Sequence, residues 1–328
     1  MKRIGHICLA IVVLLCGRES FAKSGQLKLG INPWPGYEFL FLAQEIGCFK
    51  KHGVDLRLVE FSALVDVTNA YIRGQIDGMA TTATDAYYAH IRIPQRPLRF
   101  LMAIDYSSGA DVVIAAPEDN GAKYSFAGKR IGVETMSLGQ FYLHRVLQKS
   151  GLTIQDVTIV PLAQTRMADA LRSKKVDAVV TYPPFLFEAL KVKGSKVVFS
   201  SAEIPGELLD LLAISEEWTK TGDKDQQLRA LVECQYEAVA YRTKNPDEAD
   251  KIMAKREGIT VAEFRTALAG MVMITPDEFK KTIGTGETLA NLLKHIENVL
   301  KDDKKPVLPW NISEVLAPIQ KFQAPLSK

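Results

Sequence analysis

The sequence predicts an α/β protein with two doubly wound lobes around a ligand cleft and a helical C-terminal region. Three observations support this fold class. Short apolar strands alternate with helical segments from residue 26 onward, which is typical of mostly parallel sheets with helices on both faces. The alternation stops at a polar, turn-rich stretch, residues 117–121, and then starts again. From about residue 226 the sequence is almost wholly helical.

The predicted elements follow one another with short turns between them. The first lobe has strand 27–31, helix 37–50, strand 54–61, helix 64–74, strand 77–81, helix 84–91 and strand 98–104. The second lobe has strand 129–133, helix 138–150, strand 157–161, helix 167–174, strand 176–181, helix 185–193 and strand 196–199. Helices 228–242, 261–271 and 288–300 come after both lobes. Residues 71–80 and 170–179 share a pattern of helix end, basic polar turn and Asp before an apolar strand, so we predict two similar lobes rather than one large sheet.

The composition is that of an ordinary globular protein. The 328 residues are 47% hydrophobic and 24% charged, and 41 Lys and Arg against 38 Asp and Glu give a formal net charge of +3. No run of like charges stands out, so no nucleic-acid partner is expected. The only long apolar run in the sequence, residues 7–16, lies at its very start and is too short for a permanent membrane span. A polytopic membrane protein is therefore excluded.

The N-terminus has the pattern of a secretory signal peptide, residues 1–22. Lys2 and Arg3 precede the apolar stretch, and small residues lie three and one positions before Lys23. We predict cleavage after Ala22 and a periplasmic location for the mature protein. A lipid anchor on Cys16 is not expected, because no small residue directly precedes that cysteine.

Two cysteines, Cys48 and Cys234, remain after removal of the signal peptide. In an oxidising compartment they can form a disulfide, and two buried free thiols are the alternative that the sequence leaves open. Neither cysteine has a second Cys or a His at metal-ligand spacing. The sequence therefore predicts no metal site.

Several segments are similar to a known family of binding proteins. Residues 34–37 (WPGY) and 42–56 (LAQEIGCFKKHGVDL) resemble the opening of ABC-transporter solute-binding proteins of the nitrate/taurine/alkanesulfonate family. Further segments lie where that family has equivalents: 74–78, 128–133, 176–179 and 182–184. The resemblance implies the type II periplasmic binding protein fold, with two crossover segments between the lobes.

The resemblance also implies a domain division and a set of partners. Residues 23–115 and 208–328 would form lobe 1 with the helical C-terminal region packed on it, and residues 116–207 would form lobe 2. The protein would be a monomer that binds a small-molecule ligand and delivers it to an ABC permease in the membrane. Presentation of the ligand to a membrane sensor is the alternative partner.

Polar and aromatic residues follow the predicted strands in both lobes. In open α/β sheets, ligands bind beyond the carboxyl ends of the strands, where helices begin. The residues at these positions that we expect to bind ligand are Trp34, Tyr37, Glu38, Thr82, Asp85, Ser107, Asp111, Thr135, Ser137 and Tyr182.

These residues offer sites for groups of both charges. The helix starts near Thr82 and Ser137 provide free backbone N–H groups for an acid group. Acidic side chains such as Asp111 and rings such as Trp34 suit an ammonium group. We therefore predict a small zwitterion, such as a taurine-like aminosulfonate or aminophosphonate. A purely cationic amine or a pyrimidine is the alternative ligand.

An enzyme is the least favoured class. The sequence has no P-loop, no dinucleotide-binding fingerprint and no zinc-protease or nucleophile-elbow motif. A related fold serves pyrimidine-synthesising enzymes of thiamine metabolism, which carry a cysteine-rich motif that this sequence lacks. We predict a binding protein with no catalytic residue and no cofactor.

Overall fold

The computed structural model describes residues 25–116, 124–220, 224–283, 287–302, 304 and 306–327. The predicted signal peptide and the turn at 117–121 lie outside these residues. In chain order the strands are β1 (Leu27–Ile31), β2 (Leu56–Glu60), β3 (Gly78–Thr82), β4 (Leu98–Ser107), β5 (Val112–Ala115), β6 (Arg130–Val133), β7 (Thr158–Pro161), β8 (Ala178–Thr181), β9 (Lys196–Ser200), β10 (Leu209–Ser215) and β11 (Met271–Met273).

The helices lie between these strands and in the C-terminal region. They are α1 (Glu38–Glu45), α2 (Cys48–Lys51), α3 (Leu64–Ile72), α4 (Ala83–Arg92), α5 (Leu138–Lys149), α6 (Met167–Arg172), α7 (Phe185–Leu190), α8 (Glu216–Thr219), α9 (Asp225–Lys244), α10 (Pro246–Glu257), α11 (Val261–Ala269), α12 (Pro276–Thr282), α13 (Glu287–Asp302) and α14 (Ile312–Pro318).

The strands form two sheets with the same internal order. The six-stranded sheet has the order β11-β4-β10-β3-β1-β2, and the five-stranded sheet has the order β7-β6-β8-β5-β9. In the first sheet β1 pairs in parallel with β2 and β3, and in the second β6 pairs in parallel with β7 and β8. In the first sheet the antiparallel strand β10 lies next to β3, and in the second sheet the antiparallel strand β5 lies next to β8. This repeated arrangement confirms the predicted two-lobed α/β fold.

The two crossover segments form strands, which the sequence analysis missed. β5 pairs with β8 and β9, so the chain enters the second sheet at Val112 rather than after residue 115. β10 returns between β3 and β4, where Asp210 lies opposite Thr82 and Asp105. Every residue of both strands is buried. Strands buried on both faces lack the alternation of polar and apolar residues by which strands are recognised in a sequence.

The C-terminal region packs mainly on the first lobe. Helices α9 and α10 lie against α1, and a disulfide between Cys48 and Cys234 joins α2 to α9. Helix α14 lies against β4. The side-chain amide of Gln323 donates to the carbonyl of Ala103 in β4 and accepts from its N–H, each at 2.8 Å. Of the two alternatives for the cysteines, the structure contains the disulfide.

Two parts of the C-terminal region depart from a simple helical layer. The helix predicted over 261–271 ends at Ala269, because Met271–Met273 forms a strand that pairs with the edge of the first sheet. Helix α13 packs against α4 of the first lobe and also against α5 of the second. Glu207 links these two helices: it accepts a hydrogen bond from Arg145 of α5 at 2.6 Å, and it lies 3.0 Å from Nε2 of His295 in α13. The C-terminal region therefore contacts both lobes.

None of the helices in the described ranges is long and apolar enough to cross a membrane.

Candidate ligand-binding site

A cavity lies between the two lobes, at the ends of their strands. Its volume is about 20 Å³, and it is lined by residues from both lobes and both crossovers: Asn32, Trp34, Tyr37, Leu64, Thr82, Asp111, Leu138, Tyr182 and Asp210. Asn32 directly follows β1, Thr82 ends β3 and Tyr182 directly follows β8. Because the two sheets have the same strand order, the corresponding strand ends of both lobes meet at this point.

Three aromatic rings form walls of the cavity. Trp34 and Tyr37 come from the first lobe, and their ring centroids are 6.5 Å apart. Tyr182 comes from the second lobe, with its ring edge-on to Trp34 at 6.0 Å. The three residues are 4%, 1% and 8% exposed, respectively. Since Trp34 and Tyr182 belong to different lobes, their contact depends on the lobes being closed.

The loop before α1 fixes the ring of Trp34 against an acid. Residues 33–36 combine two prolines with a glycine, and the N–H of Tyr37 donates to the carbonyl of Trp34 at 2.9 Å. The indole N–H of Trp34 donates to Asp105 Oδ1 at 3.3 Å. A Cβ atom at Gly36 would overlap the Asp105 carboxylate. Glycine is therefore required here so that the loop can approach β4.

Three aspartates are buried at the inner side of the cavity. The hydroxyl of Tyr37 donates to Asp210, and Asp105 lies behind Trp34. Burial raises the pKa of Asp105 to about 8 and that of Asp111 to about 7, and the nearby Asp111 adds to the rise for Asp105. Burial and the neighbouring Asp105 also raise the pKa of Asp210 well above its usual range. The cavity therefore disfavours additional negative charge.

A fourth acid, Asp85, joins the two lobes. Thr82 caps α4 by accepting from the N–H of Asp85 at 3.0 Å, and its hydroxyl donates to Asp85 Oδ2 at 2.9 Å. The same oxygen accepts from the N–H of Leu138, at the start of α5, at 2.8 Å. Burial raises the pKa of Asp85 to about 6, while the hydrogen bond from Leu138 opposes the rise. A carboxylate of the first lobe thus occupies the helix start of the second.

A wider cleft of about 350 Å³ lies beside the cavity, since Leu64 lines the cavity and its neighbours Ala63 and Val65 line the cleft. The outer cleft lies between residues 62–66, at the start of α3, and two segments of the second lobe, residues 134–135 and 161–165. Burial raises the pKa of Glu134 to about 8, and a hydrogen bond from the backbone of Val65 opposes this. Among the lining residues that the structure describes, neither the cavity nor the outer cleft has a Lys or Arg.

The sequence matches the model of a known protein family over most of its length. A family model of the NMT1-like family matches residues 21–256, which is more than half of the chain. The chain belongs to the NMT1-like family.

Relatives and solved structures of similar fold are known for this NMT1-like protein. A relative from Brucella abortus (strain 2308), named as a binding protein, is 22% identical over 299 residues that cover 87% of this chain and 88% of the relative. The periplasmic aliphatic sulphonate binding protein SsuA of Escherichia coli has a TM-score of 0.70 at 18% identity, covering 89% of this chain and 91% of that one.

A second solved structure is the ligand-binding component of an ABC-type import system from Staphylococcus aureus, with zinc bound. Its TM-score is 0.71 at 14% identity, and the match covers 92% of this chain and 100% of that one. These likenesses show the periplasmic binding protein fold. The Brucella and E. coli proteins are named as binding proteins, in line with the prediction of a binding protein rather than an enzyme.

The structure brings together most of the ten predicted site residues of this NMT1-like protein. Those that line the cavity are Trp34, Tyr37, Thr82, Asp111 and Tyr182. Thr135 lines the outer cleft. Asp85 and Ser137 lie directly behind the cavity wall at the start of α5.

The remaining two predicted residues have structural partners elsewhere. The Ser107 hydroxyl accepts from the N–H of Asp111 at 3.0 Å and lies 2.8 Å from the Ser201 hydroxyl, so it fastens the two crossovers together. Glu38 does not line the cavity. Its carboxylate accepts from Arg256 of α10 at 2.6 and 3.1 Å, because a buried acid on α1 needs a cationic partner and the C-terminal region supplies one.

Three polar residues at the cavity were not among the ten: Asn32, Asp105 and Asp210. Asn32 is the first residue after β1, which is a position that the strand-end rule favours. Asp105 and Asp210 lie inside apolar strands, β4 and β10. An acidic residue within an apolar strand is the signal that would have identified both, since buried charges need a specific environment.

Proposed function

We propose that this protein is the periplasmic solute-binding component of an ABC importer, closing its two lobes around one small organic solute. The two lobes with a cavity between them, the predicted signal peptide and the NMT1-like family support this proposal. The E. coli and S. aureus neighbours, named as a periplasmic binding protein and as part of an ABC-type import system, support it as well. Closure by rotation about the crossovers fits this architecture.

The ligand that we propose carries a positively charged nitrogen. The observation that supports this is a cavity with two aspartates and three aromatic rings in its walls and no basic side chain among the described lining residues. Carboxylates attract a cation, and the faces of Trp and Tyr rings add a favourable cation–π contribution. An anion at the same place would be buried beside like charges.

A taurine-like aminosulfonate is the second candidate. The sulphonate-binding E. coli neighbour favours it, and its amino group would fit the same acids and rings. Its acid group, however, has to compete with Asp85 for the start of α5 and with Glu134 near the start of α3. We therefore favour an amine whose opposite end is neutral or extends into the outer cleft.

A thermal-shift panel tests the ligand class. The panel contains ethanolamine, taurine, 2-aminoethylphosphonate, ethanesulfonate and an aminomethylpyrimidine, and binding is confirmed by calorimetry. A cognate ligand at 100 times its Kd should stabilise the fold by about 2.7 kcal/mol. Binding of ethanesulfonate with no response to any amine would contradict the proposed class. Recovery of a chemically altered ligand would contradict a binding function.

Delivery to an importer has its own test. Deletion of the gene should abolish uptake of the radiolabelled ligand by whole cells, and the intact gene should restore it. Unchanged uptake in the deletion strain would favour the sensor alternative.

A further inference from the structure

Two buried oxygen atoms in the cavity have no hydrogen-bond partner among the described residues: Asp111 Oδ2 and Asn32 Oδ1. Their side chains are 4% and 6% exposed, and both line the cavity between the lobes. Of the other polar side chains in the cavity wall, the hydroxyl of Tyr182 is also without a partner in the described part of the chain, whereas Trp34 and Tyr37 are paired. Trp34 donates to Asp105, and the hydroxyl of Tyr37 donates to Asp210.

Asp111 Oδ2 and Asn32 Oδ1 are both hydrogen-bond acceptors. The amide nitrogen of Asn32 donates to the carbonyl of Pro33 at 3.0 Å, which leaves the amide oxygen facing the cavity as an acceptor. An ionised carboxylate oxygen only accepts. Leaving a buried acceptor without a donor is unfavourable, and native proteins rarely do so. The two atoms therefore call for a ligand that brings hydrogen-bond donors.

The backbone around Asp111 holds this side chain in place. Its N–H donates to the Ser107 hydroxyl at 3.0 Å, and its carbonyl accepts from the Tyr142 hydroxyl at 3.0 Å. Ser107 ends β4 of the first lobe, and Tyr142 lies on α5 of the second. Asp111 is thus fixed at the crossover, with its free oxygen available to the cavity.

We propose that Asp111 and Asn32 bind the N–H groups of a primary ammonium on the ligand, with Asp111 as its counter-ion. This inference rests on the proposed amine class and makes it more specific. A primary ammonium brings three N–H donors, which satisfy both oxygens, while Trp34 and Tyr182 contact its carbon atoms. A quaternary ammonium has the same charge and suits the rings, but it has no N–H and would leave both oxygens buried and unsatisfied.

Matched ligand pairs on the wild-type protein test this inference. The pairs are ethanolamine with choline and taurine with N,N,N-trimethyltaurine, and calorimetry measures each Kd. The primary amine of the pair that binds is expected to bind at least tenfold more tightly than its trimethylated partner. Equal or tighter binding of the trimethylated partner would overturn the inference and leave the proposed amine class intact.

Three variants test whether binding depends on these two oxygens or on the negative charge of the protein in general. Asp111→Asn keeps the size of the side chain and removes its charge, and it should weaken binding of the primary amine at least thirtyfold. Asn32→Ala should weaken it at least threefold. Glu203→Gln is the control, because Glu203 is exposed, lines neither the cavity nor the outer cleft and pairs with Ser200 in a capping box. It should change the Kd by less than twofold.

The outcomes distinguish this inference from the proposed function. Unchanged amine affinity in Asp111→Asn, with a folded variant by circular dichroism, would overturn the inference alone. An equal loss in Glu203→Gln would do the same, because it would show a diffuse charge effect. Failure of every primary amine to bind the wild-type protein would overturn the inference together with the amine class.

Discussion

Asp85 and Asp111 are both buried where the two lobes meet, and their surroundings differ in one respect. Asp85 accepts hydrogen bonds from the N–H of Leu138 and from the Thr82 hydroxyl, so the protein itself supplies its partners. Asp111 Oδ2 has no such partner among the described residues. Burial alone therefore does not separate a structural acid from a ligand-binding one. The number of hydrogen-bond partners does.

The two acids also act at different stages of binding in the proposed mechanism. The contact from Asp85 to Leu138 joins the lobes without a ligand, because it occupies the start of α5 with a carboxylate of the first lobe. Asp111 gains its partner only from a ligand between the lobes. A ligand that satisfies Asp111 adds to the closure that Asp85 already favours.

A measurement of stability separates these two acids. Asp85→Ala should lower the free energy of unfolding by about 1–3 kcal/mol, because it leaves the Leu138 N–H and the Thr82 hydroxyl without an acceptor. Asp111→Ala should leave this free energy unchanged or raise it, since it removes a buried and unpaired group. Urea unfolding followed by circular dichroism measures both. Equal losses in the two variants would contradict the comparison.

The aromatic rings allow a second comparison, between the cavity and the core. Tyr182→Ala should weaken ligand binding by about tenfold, or about 1.4 kcal/mol, while the unliganded protein stays folded. Tyr71 is the matched control, because it is fully buried in the first lobe and its hydroxyl donates to the Arg96 carbonyl. Its replacement by Ala should lower the free energy of unfolding by about 3–5 kcal/mol. A loss of that size in Tyr182→Ala would place Tyr182 in the core instead.

Much of the fold could be predicted because its elements have clear periodic patterns. Strand 27–31 and the strands near Gly78 and Ala178 lie close to their predicted positions, as does α5. The crossover strands could not be predicted from periodicity, because burial on both faces removes the alternation of polar and apolar positions. Their pairing depends on residues more than about 60 positions away, which no local pattern encodes.

The site was predictable where it follows strand ends and not where it depends on distant partners. Trp34 and Tyr182 follow β1 and β8, so the strand-end rule located them. Glu38 has the same local context, yet its partner is Arg256, far along the chain in α10. Whether an acid faces a ligand or a guanidinium is decided by tertiary packing.

The affinity for a cationic ligand should depend on pH through Asp111. Burial raises the pKa of Asp111 to about 7, so the ionised counter-ion is lost as the pH falls from 8 to 6. An alkylammonium stays charged in this range. Affinity should therefore fall by about tenfold, and the raised pKa values of Asp105 and Asp210 act in the same direction. Calorimetry at both pH values measures the change, and Asp111→Asn should remove part of it. An affinity independent of pH in the wild-type protein would contradict the role of Asp111.

The smallest expected effect is the change in stability of the unliganded protein with pH. Its sign is opposite to that of an acidic group whose pKa is lowered by folding. Because burial raises the pKa of Asp111, the folded state binds more protons than the unfolded state between the usual Asp pKa, about 3.9, and pH 7. The contribution of Asp111 to stability is therefore present at low pH and is lost as the pH rises through 7. Asp111 alone should make the melting temperature about 2 °C higher at pH 6 than at pH 8.

Comparison of the wild type with Asp111→Asn isolates the contribution of Asp111 to the pH dependence of stability. Burial lowers the pKa of His90, so its contribution has the opposite sign, but it is the same in the wild type and in Asp111→Asn. Glu207, whose pKa is about 2 because His295 and Arg145 bind it, stays ionised throughout. The melting temperature of Asp111→Asn should therefore fall less between pH 6 and pH 8 than that of the wild type. Parallel curves for the two proteins would mean that Asp111 does not carry a raised pKa, and that the ligand meets an acid that is already ionised in the unliganded cavity.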